Sequence, residues 1–149
     1  MNANRKAFLE MIAKCEGTFG HGDEGYNVNV GGTLFTDYSD HPRSLVYIKS
    51  IKKKSSAAGR YQILDHIYDH YKLALNLVDF SPASQDAIAL QLIRECRALE
   101  DIDMGRIPQA IEKCTSRWTS LPNAKYSQPI KTLKFALEAY FTAGGSGLA

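Results

Sequence analysis

The sequence predicts an α+β fold, in which a mainly helical lobe carries a small antiparallel β-sheet near one end. Three observations support this prediction. Apolar residues at helical spacing open the chain. Apolar residues that alternate with others around a glycine pair come next, and helical periodicity returns from about residue 64 to about residue 143. We expect a single domain over residues 1–149, with a ligand cleft between the helical lobe and the sheet.

The first predicted helix places a carboxylate on its apolar face. Glu16 falls on that face, four residues after Ile12, and Gly17 favours a helix end directly after it. Partial burial and the negative pole of the helix dipole both disfavour the ionised carboxylate, so we expect a raised pKa, as a general acid near neutral pH requires. The alternative is an ordinary glutamate at a helix end. The face itself consists of Phe8, Leu9, Ile12 and Cys15.

Alternating apolar residues predict a β-hairpin after this helix. Its first strand covers residues 26–30, the glycine pair at 31–32 forms the turn, and the stretch TLFTDY forms the second strand. The stretch RSLVYIKSI offers a possible third strand, and KKKSSAAGRYQ is predicted to be a loop from its composition. The lysines at 52–54 are interpreted as a solvated part of that loop.

Helical spacing predicts four further helices in the rest of the chain. Pro82 and Pro108 lie at the starts of two of them, and the last is expected over residues 129–143, where a glycine pair stops it. The apolar stripes are Leu64, Ile67, Tyr68, Tyr71 and Leu75; Ile88, Ala89, Leu92, Ile93 and Cys96; Ile107, Ala110, Ile111, Cys114 and Trp118; and Leu133, Leu137, Tyr140 and Phe141.

Composition narrows the possible classes of protein. With 149 residues, 44% hydrophobic and 23% charged, the chain is typical of a soluble globular protein with a sizeable core. A net charge of +2 is too small for a nucleic-acid footprint. Since no apolar stretch is long enough for a signal peptide or a membrane span, we expect no membrane insertion.

Cysteines and histidines give no metal or disulfide pattern. Cys15, Cys96 and Cys114 are far apart, odd in number and on apolar stripes, so they are interpreted as core residues. His66 and His70 have the spacing of a metal pair but lack an HExxH pattern, and we interpret them as a polar helix face. No cofactor and no metal are predicted.

Aromatic and polar residues around the joint of helix and sheet suit a sugar polymer. Aromatic faces stack on pyranose rings, while amides and carboxylates hydrogen-bond hydroxyl and acetamido groups. Residues of these types more commonly pack across strands or stabilise turns than bind a ligand. Because several of them are predicted to lie close to Glu16, we favour a glycan-binding role. The candidates are Tyr26, Asn27, Asp37, Tyr38, Asp40, Tyr61, Gln62, Tyr126 and Gln128.

Six stretches, taken in order, resemble the lambda-type family of phage endolysins over nearly the whole chain. They are RKAFLEMIAKCEGT, GYNVNVGGTLFTDYSDHPR, AAGRYQIL, DFSPASQDAIALQLI, QAIEKC and SLPNAKYSQ. The resemblance implies a lysozyme-like fold and cleavage of the β-1,4 bond between N-acetylmuramic acid and N-acetylglucosamine in peptidoglycan. It also implies lytic transglycosylation, which leaves a 1,6-anhydromuramic end, with the family's catalytic acid/base at Glu16.

One carboxylate is enough for that reaction. A retaining hydrolase needs a second carboxylate about 5 Å from the acid, and an inverting one needs a more distant base, whereas a transglycosylase uses the C6 hydroxyl of its own substrate. The chain also departs from the lambda pattern: TFGHGDEG is a shorter loop, Asn27 replaces an aspartate and Glu24 a histidine. Asp37 and Asp40 remain as candidates for a second carboxylate.

Two other functions stay open at the level of sequence. A hydrolytic muramidase would share the fold, and a non-catalytic peptidoglycan-binding module would use Glu16 only as a structural residue. The resemblance further implies an enzyme held in the host cytoplasm until a separate phage holin gives it access to the periplasmic cell wall. We expect a monomer whose partners are glycan strands, and the sequence leaves host range and stem-peptide preference open.

Overall fold

The computed structural model describes residues 1–122 and 131–147. Two compact units divide the chain: unit 1 is Met1–Gly17 with Ala89–Ala149, and unit 2 is Thr18–Ile88. Tyr126 and Gln128 lie outside the described residues. The expectation of one domain over residues 1–149 stays a prediction.

Six helices and two short strands form within the described residues. None of these helices combines the length and the apolar character that crossing a membrane requires. In chain order the elements are α1 (Ala3–Glu16), β1 (Val46–Ile48), β2 (Lys53–Ser55), α2 (Asp65–Ala74), α3 (Pro82–Glu95), α4 (Leu99–Asp103), α5 (Ile107–Cys114) and α6 (Leu133–Thr142).

Helix α1 forms the centre of unit 1 and ends where the sequence predicted. The Asn2 side chain caps its start by accepting from the backbone N–H of Arg5 at 2.8 Å. Gly17 ends it at φ +80°, a left-handed conformation that glycine adopts without strain. The helix packs against α4 and α6 through a face that includes all four predicted residues, Phe8, Leu9, Ile12 and Cys15.

The predicted hairpin in unit 2 is only partly correct. In the described segment 26–38 the turn forms, since the backbone N–H of Asn29 donates to the Thr33 carbonyl at 2.8 Å, but isolated bridges replace regular strands. The physical reason is that Val30 donates to the carbonyl of Ala57, at 2.9 Å, instead of to the opposite arm of the turn. Main-chain pairing with a third segment therefore interrupts the ladder.

The regular sheet lies later in the chain. Strands β1 and β2 pair antiparallel, with Val46 opposite Ser55 and Ile48 opposite Lys53. The possible third strand is thus confirmed, whereas the loop predicted for KKKSSAAGRYQ is wrong at its start, because Lys53–Ser55 form β2. The lysines of β2 are exposed, as is common on the edge strand of a small sheet. Composition alone therefore does not distinguish this strand from a loop.

The remaining helices follow their predicted periodicity with two corrections. Helix α4 was not predicted, because five residues are too few to show a helical period. Helix α6 buries Ala136, Ala139 and Tyr140, whereas the predicted stripe residues Leu133 and Phe141 are exposed. Small residues on the buried face allow close packing against α1. The prediction chose the large apolar residues as the buried face, although large apolar side chains are also common at protein surfaces.

The side chain of Gln85 joins three backbone segments within unit 2. This residue of α3 is fully buried, and its Nε2 donates to the carbonyls of Tyr26 at 3.0 Å and Phe80 at 2.9 Å. Its Oε1 accepts from the backbone N–H of Arg60 at 3.0 Å. At Gly59 a Cβ would lie 2.3 Å from that oxygen, so glycine allows the approach. The amide thereby satisfies three backbone groups at once.

We predict that Gln85→Ala lowers the free energy of unfolding by about 3 kcal/mol, because it leaves three buried or part-buried backbone groups without this partner and creates a cavity. Urea denaturation of the full chain measures the change. Gln91→Ala on the same helix is the matched control, since its amide bonds to Glu95 and Arg94 at the surface, and its effect should stay within about 0.5 kcal/mol. Equal losses in the two variants would contradict the prediction.

Candidate active site

Glu16 is the last residue of α1 and is partly buried. Its carboxylate Oε1 accepts a hydrogen bond from the hydroxyl of Ser120 at 3.0 Å, a contact between residues that lie 104 positions apart in the chain. Both residues belong to unit 1. Within the described residues, a long-range hydrogen bond from Ser120 therefore holds this glutamate of the predicted apolar face.

Burial dominates the ionisation of this carboxyl group. It raises the pKa of Glu16 from its usual 4.5 to about 7, while the hydrogen bond from Ser120 stabilises the charged form and opposes the shift. The neighbouring Cys15 thiol has its pKa raised to about 12, first by burial and then by the charge of Glu16. Near neutral pH, Glu16 is thus present in both protonated and ionised forms, as a general acid/base requires.

In unit 2, Tyr26 and Tyr61 share one carboxylate. Their hydroxyls donate to Oδ1 of Asp86, at 2.9 and 2.6 Å, and their rings meet edge-to-face with centroids 6.3 Å apart. The guanidinium carbon of Arg60 lies 5.1 Å from the centre of the Tyr26 ring. Tyr61 is buried, whereas Tyr26 keeps partial exposure.

Sequence reasoning missed Asp86 and Ser120. A signal existed for Asp86, because it precedes the buried Ala89 and Ile93 of α3 by three and seven residues and so lies on their face of the helix. Ser120 offered no such signal, since it follows α5 in a segment without regular structure.

The polar groups of three candidate residues are engaged within unit 2. Asn27 is buried; its Oδ1 accepts from the backbone N–H of Asp23 at 2.8 Å and its Nδ2 donates to the Phe35 carbonyl at 3.1 Å. Gln62 Nε2 donates to two carbonyl oxygens, at 2.9 and 3.1 Å. The Tyr38 hydroxyl donates to the Asp23 carboxylate at 3.0 Å. These groups hold local backbone and loop geometry.

Asp37 and Asp40 line an open groove of about 440 Å³ in unit 2. The backbone N–H of Ser39 donates to Asp37 at 2.8 Å and lowers the pKa of this exposed carboxyl group. The guanidinium of Arg43 lies 3.0 Å from Asp40 and likewise lowers its pKa. Both groups are therefore ionised at neutral pH. The groove is lined by Leu34, Phe35, Thr36, Asp37, Asp40, His41, Pro42 and Ser44.

Comparison with known proteins identifies the family of the chain. A family model described as Endolysin matches residues 6–147. The endolysin of Escherichia phage lambda is 50% identical over 150 aligned positions, covering 98% of this chain and 94% of the relative. The endolysin of Escherichia phage P2 is 46% identical, covering 95% of this chain and 93% of the relative.

Solved structures give the same result for the fold. Bacteriophage lambda lysozyme complexed with a chitohexasaccharide superimposes with a TM-score of 0.94 at 49% identity, covering 99% of this chain and 98% of that one. A second structure of the lambda lysozyme gives a TM-score of 0.90 at 48% identity with the same coverage. The predicted α+β, lysozyme-like fold is confirmed, and the chain belongs to the endolysin family.

Proposed function

We propose that this chain is a peptidoglycan lytic transglycosylase that cleaves the β-1,4 bond between N-acetylmuramic acid and N-acetylglucosamine. The observation that carries the proposal is the state of Glu16, whose pKa burial raises to about 7 while Ser120 donates a hydrogen bond to it. Such a group supplies a proton and then takes one back within a single turnover. Membership of the endolysin family supports the choice of peptidoglycan as substrate.

Glu16 acts twice in the proposed reaction. As the acid it protonates the glycosidic oxygen of the leaving N-acetylglucosamine, and C1 of the muramic residue gains oxocarbenium character. The resulting carboxylate, to which the Ser120 hydroxyl donates, then removes the proton from the muramic C6 hydroxyl as that oxygen attacks C1. The product is a 1,6-anhydro ring. An intramolecular nucleophile gives the reaction the advantage of proximity.

The proposed glycan contacts come from residues of unit 2 and from two positions outside the described residues. Tyr26 and Tyr38 keep partial exposure and offer aromatic faces, whereas Asn27, Tyr61 and Gln62 act mainly through the backbone and the side chains they hold. The lambda lysozyme structure with a chitohexasaccharide supports a sugar oligomer as ligand. The full set of residues proposed to bind the glycan, either by contact or by positioning the residues that do, is Tyr26, Asn27, Asp37, Tyr38, Tyr61, Gln62, Tyr126 and Gln128.

A hydrolytic muramidase is the second candidate function. It is favoured by Asp37 and Asp40, two carboxylates that line one open groove and are ionised at neutral pH, as a base or nucleophile for hydrolysis requires. A non-catalytic binding module is disfavoured, since sugar binding alone has no need of a carboxyl group with a raised pKa.

The proposal extends to where the enzyme works. We infer that the chain is held as a monomer in the host cytoplasm and reaches the periplasmic wall once a phage holin opens the inner membrane. Support comes from membership of the endolysin family.

Glu16→Gln should remove wall lysis, with a loss of at least about 100-fold in rate, because the amide neither donates nor accepts the catalytic proton. The raised pKa means that the folded state loses stability as pH rises from 4.5 towards about 7. The variant escapes this loss, so at about pH 8 its melting temperature should equal or exceed that of the wild type.

The measurements are the clearing of purified peptidoglycan suspensions and calorimetry at the same pH. Glu10→Gln on the same helix is the control, because Glu10 lies 4.0 Å from Lys14 near the surface, and it should keep full activity. A folded Glu16→Gln protein with near-normal turnover would show that Glu16 is not the acid.

Ser120→Ala should shift the alkaline limb of the pH–rate profile to higher pH. The Ser120 hydroxyl donates to the ionised carboxylate and so lowers the pKa of Glu16, and its removal lets that pKa rise further. Thr119→Ala is the control, since Thr119 is exposed and adjacent in sequence. An alkaline limb that stays in place or moves to lower pH in Ser120→Ala would contradict the role given to this hydrogen bond.

Digestion of purified peptidoglycan should release fragments that end in 1,6-anhydromuramic acid, lighter by one water than muramidase products and without a reducing end. Mass spectrometry distinguishes the two products. Substrate O-acetylated at muramic C6 should resist cleavage, because the attacking hydroxyl is blocked. Reducing ends that carry heavy oxygen from labelled water would instead establish hydrolysis, and a hydrolase that uses Asp37 or Asp40 would then be the better account.

A further inference from the structure

Two thiols of unit 1 meet at the ends of two helices. Cys96 directly follows α3 and its backbone N–H donates to the Leu92 carbonyl at 3.0 Å, while Cys114 is the last residue of α5. Contacts between flanking residues bring the two segments together: the Lys113 ammonium donates to the Arg97 carbonyl at 3.3 Å, and the Arg117 guanidinium lies 3.4 Å from the Glu95 carboxylate. Cys114 is fully buried, but Cys96 is partly exposed, so the interpretation of Cys96 as a plain core residue needs correction.

The surroundings of the pair make the two thiols different. The guanidinium of Arg117 lies 3.4 Å from the carboxylate of Glu95, the residue before Cys96, and Arg117 and Ser116 both favour the charged form of the Cys96 thiol. The hydrogen bond from Cys114 and the guanidinium charge lower the pKa of Cys96 to about 6. The same hydrogen bond, together with burial, raises the pKa of Cys114.

The charged groups near Cys114 do not bring its pKa below that of Cys96. Lys113 precedes it in sequence, but its ammonium group bonds to the Asp101 carboxylate at 2.6 Å, and Arg106 bonds to the same carboxylate at 2.7 Å. Of the two groups, the partly exposed Cys96 therefore favours the thiolate form, while the buried Cys114 favours the protonated thiol. This is the arrangement of an attacking thiol with a resolving thiol beside it.

We propose that Cys96 is a nucleophilic modification site that reacts with disulfide compounds, and that Cys114 resolves the product into an intramolecular Cys96–Cys114 disulfide. The inference rests on the contacts that bring the residues flanking Cys96 and Cys114 together, on the unequal exposure of the two thiols and on the cationic Arg117 beside Glu95. It is independent of the glycan-cleaving activity.

The proposed thiol–disulfide exchange has two steps. The Cys96 thiolate attacks one sulfur of a disulfide RSSR, a mixed disulfide forms, and RS⁻ leaves. Cys114 then gives up its proton and its sulfur attacks Sγ of Cys96, which releases a second RS⁻ and forms the internal disulfide. Two electrons pass from the pair to RSSR, which ends as two molecules of RSH once protonated.

The new bond would join the end of α3 to the end of α5 and close a loop that contains α4. Closing a loop restricts the unfolded chain, so the oxidised protein should melt at a higher temperature than the reduced one. A cytosol keeps thiols reduced and a periplasm supplies disulfides; this link to compartments rests on the localisation proposed above.

The test uses the reduced full chain and oxidised glutathione. After incubation and acid quench, the protein is unfolded, its free thiols are alkylated, and it is digested with trypsin without reduction. We expect a linked pair of the peptides 95–97 and 114–117, two hydrogens lighter than their sum, with Cys15 alkylated as a free thiol. Free Cys96 and Cys114 after prolonged exposure, or a disulfide involving Cys15, would overturn the proposal.

Two variants separate the roles of the thiols. Cys114→Ala should stop at the mixed disulfide of Cys96 with glutathione, and Cys96→Ala should form neither product. Cys96→Ala, at a partly exposed position, keeps the test valid even if Cys114→Ala does not fold. The melting temperature should rise on oxidation of the wild type and stay constant in Cys96→Ala. Equal glutathionylation of Cys114 in Cys96→Ala would show that Cys96 is not the attacking thiol.

Discussion

Unit 2 depends on the buried amide of Gln85. Its regular sheet has two strands of three residues each, so main-chain ladders alone leave many backbone groups of this unit without partners. Gln85 supplies three hydrogen bonds to separate segments, and Gly59 lets it approach. The next residue, Asp86, then receives the hydroxyls of Tyr26 and Tyr61. One turn of α3 thus positions the aromatic residues proposed to contact the glycan.

Two enclosed carboxyl groups of unit 1 show how the surroundings decide the role of an acid. Asp101 lies between Arg106 at 2.7 Å and Lys113 at 2.6 Å, and these cations keep its pKa low and its carboxylate ionised. Glu16 instead receives a hydrogen bond from the neutral hydroxyl of Ser120, which offsets burial only in part. Asp101 therefore joins α4 to α5 as a permanent anion, whereas Glu16 changes protonation state near neutral pH.

Local signals account for what the sequence predicted correctly. The start of α3 at Pro82 and the end of α1 before Gly17 follow from residues that act within one helical turn. The errors come from distant partners: Val30 pairs with the Ala57 carbonyl, which breaks the predicted hairpin. In the same way, the raised pKa of Glu16 was predictable from its face of the helix, but no local pattern indicates Ser120, 104 positions away.

The raised pKa of Glu16 lowers the stability of the folded protein above about pH 7. A carboxyl group with a pKa of about 7 in the folded protein, against 4.5 when free, binds its proton more tightly after folding. By linkage, the fold gives up about 3 kcal/mol above pH 7 relative to an unperturbed glutamate. The buried face of α1, which includes Phe8 and Ile12, offsets this cost through apolar burial. Because burial of Glu16 is what raises its pKa, relieving that burial would stabilise the protein above about pH 7 while weakening the acid.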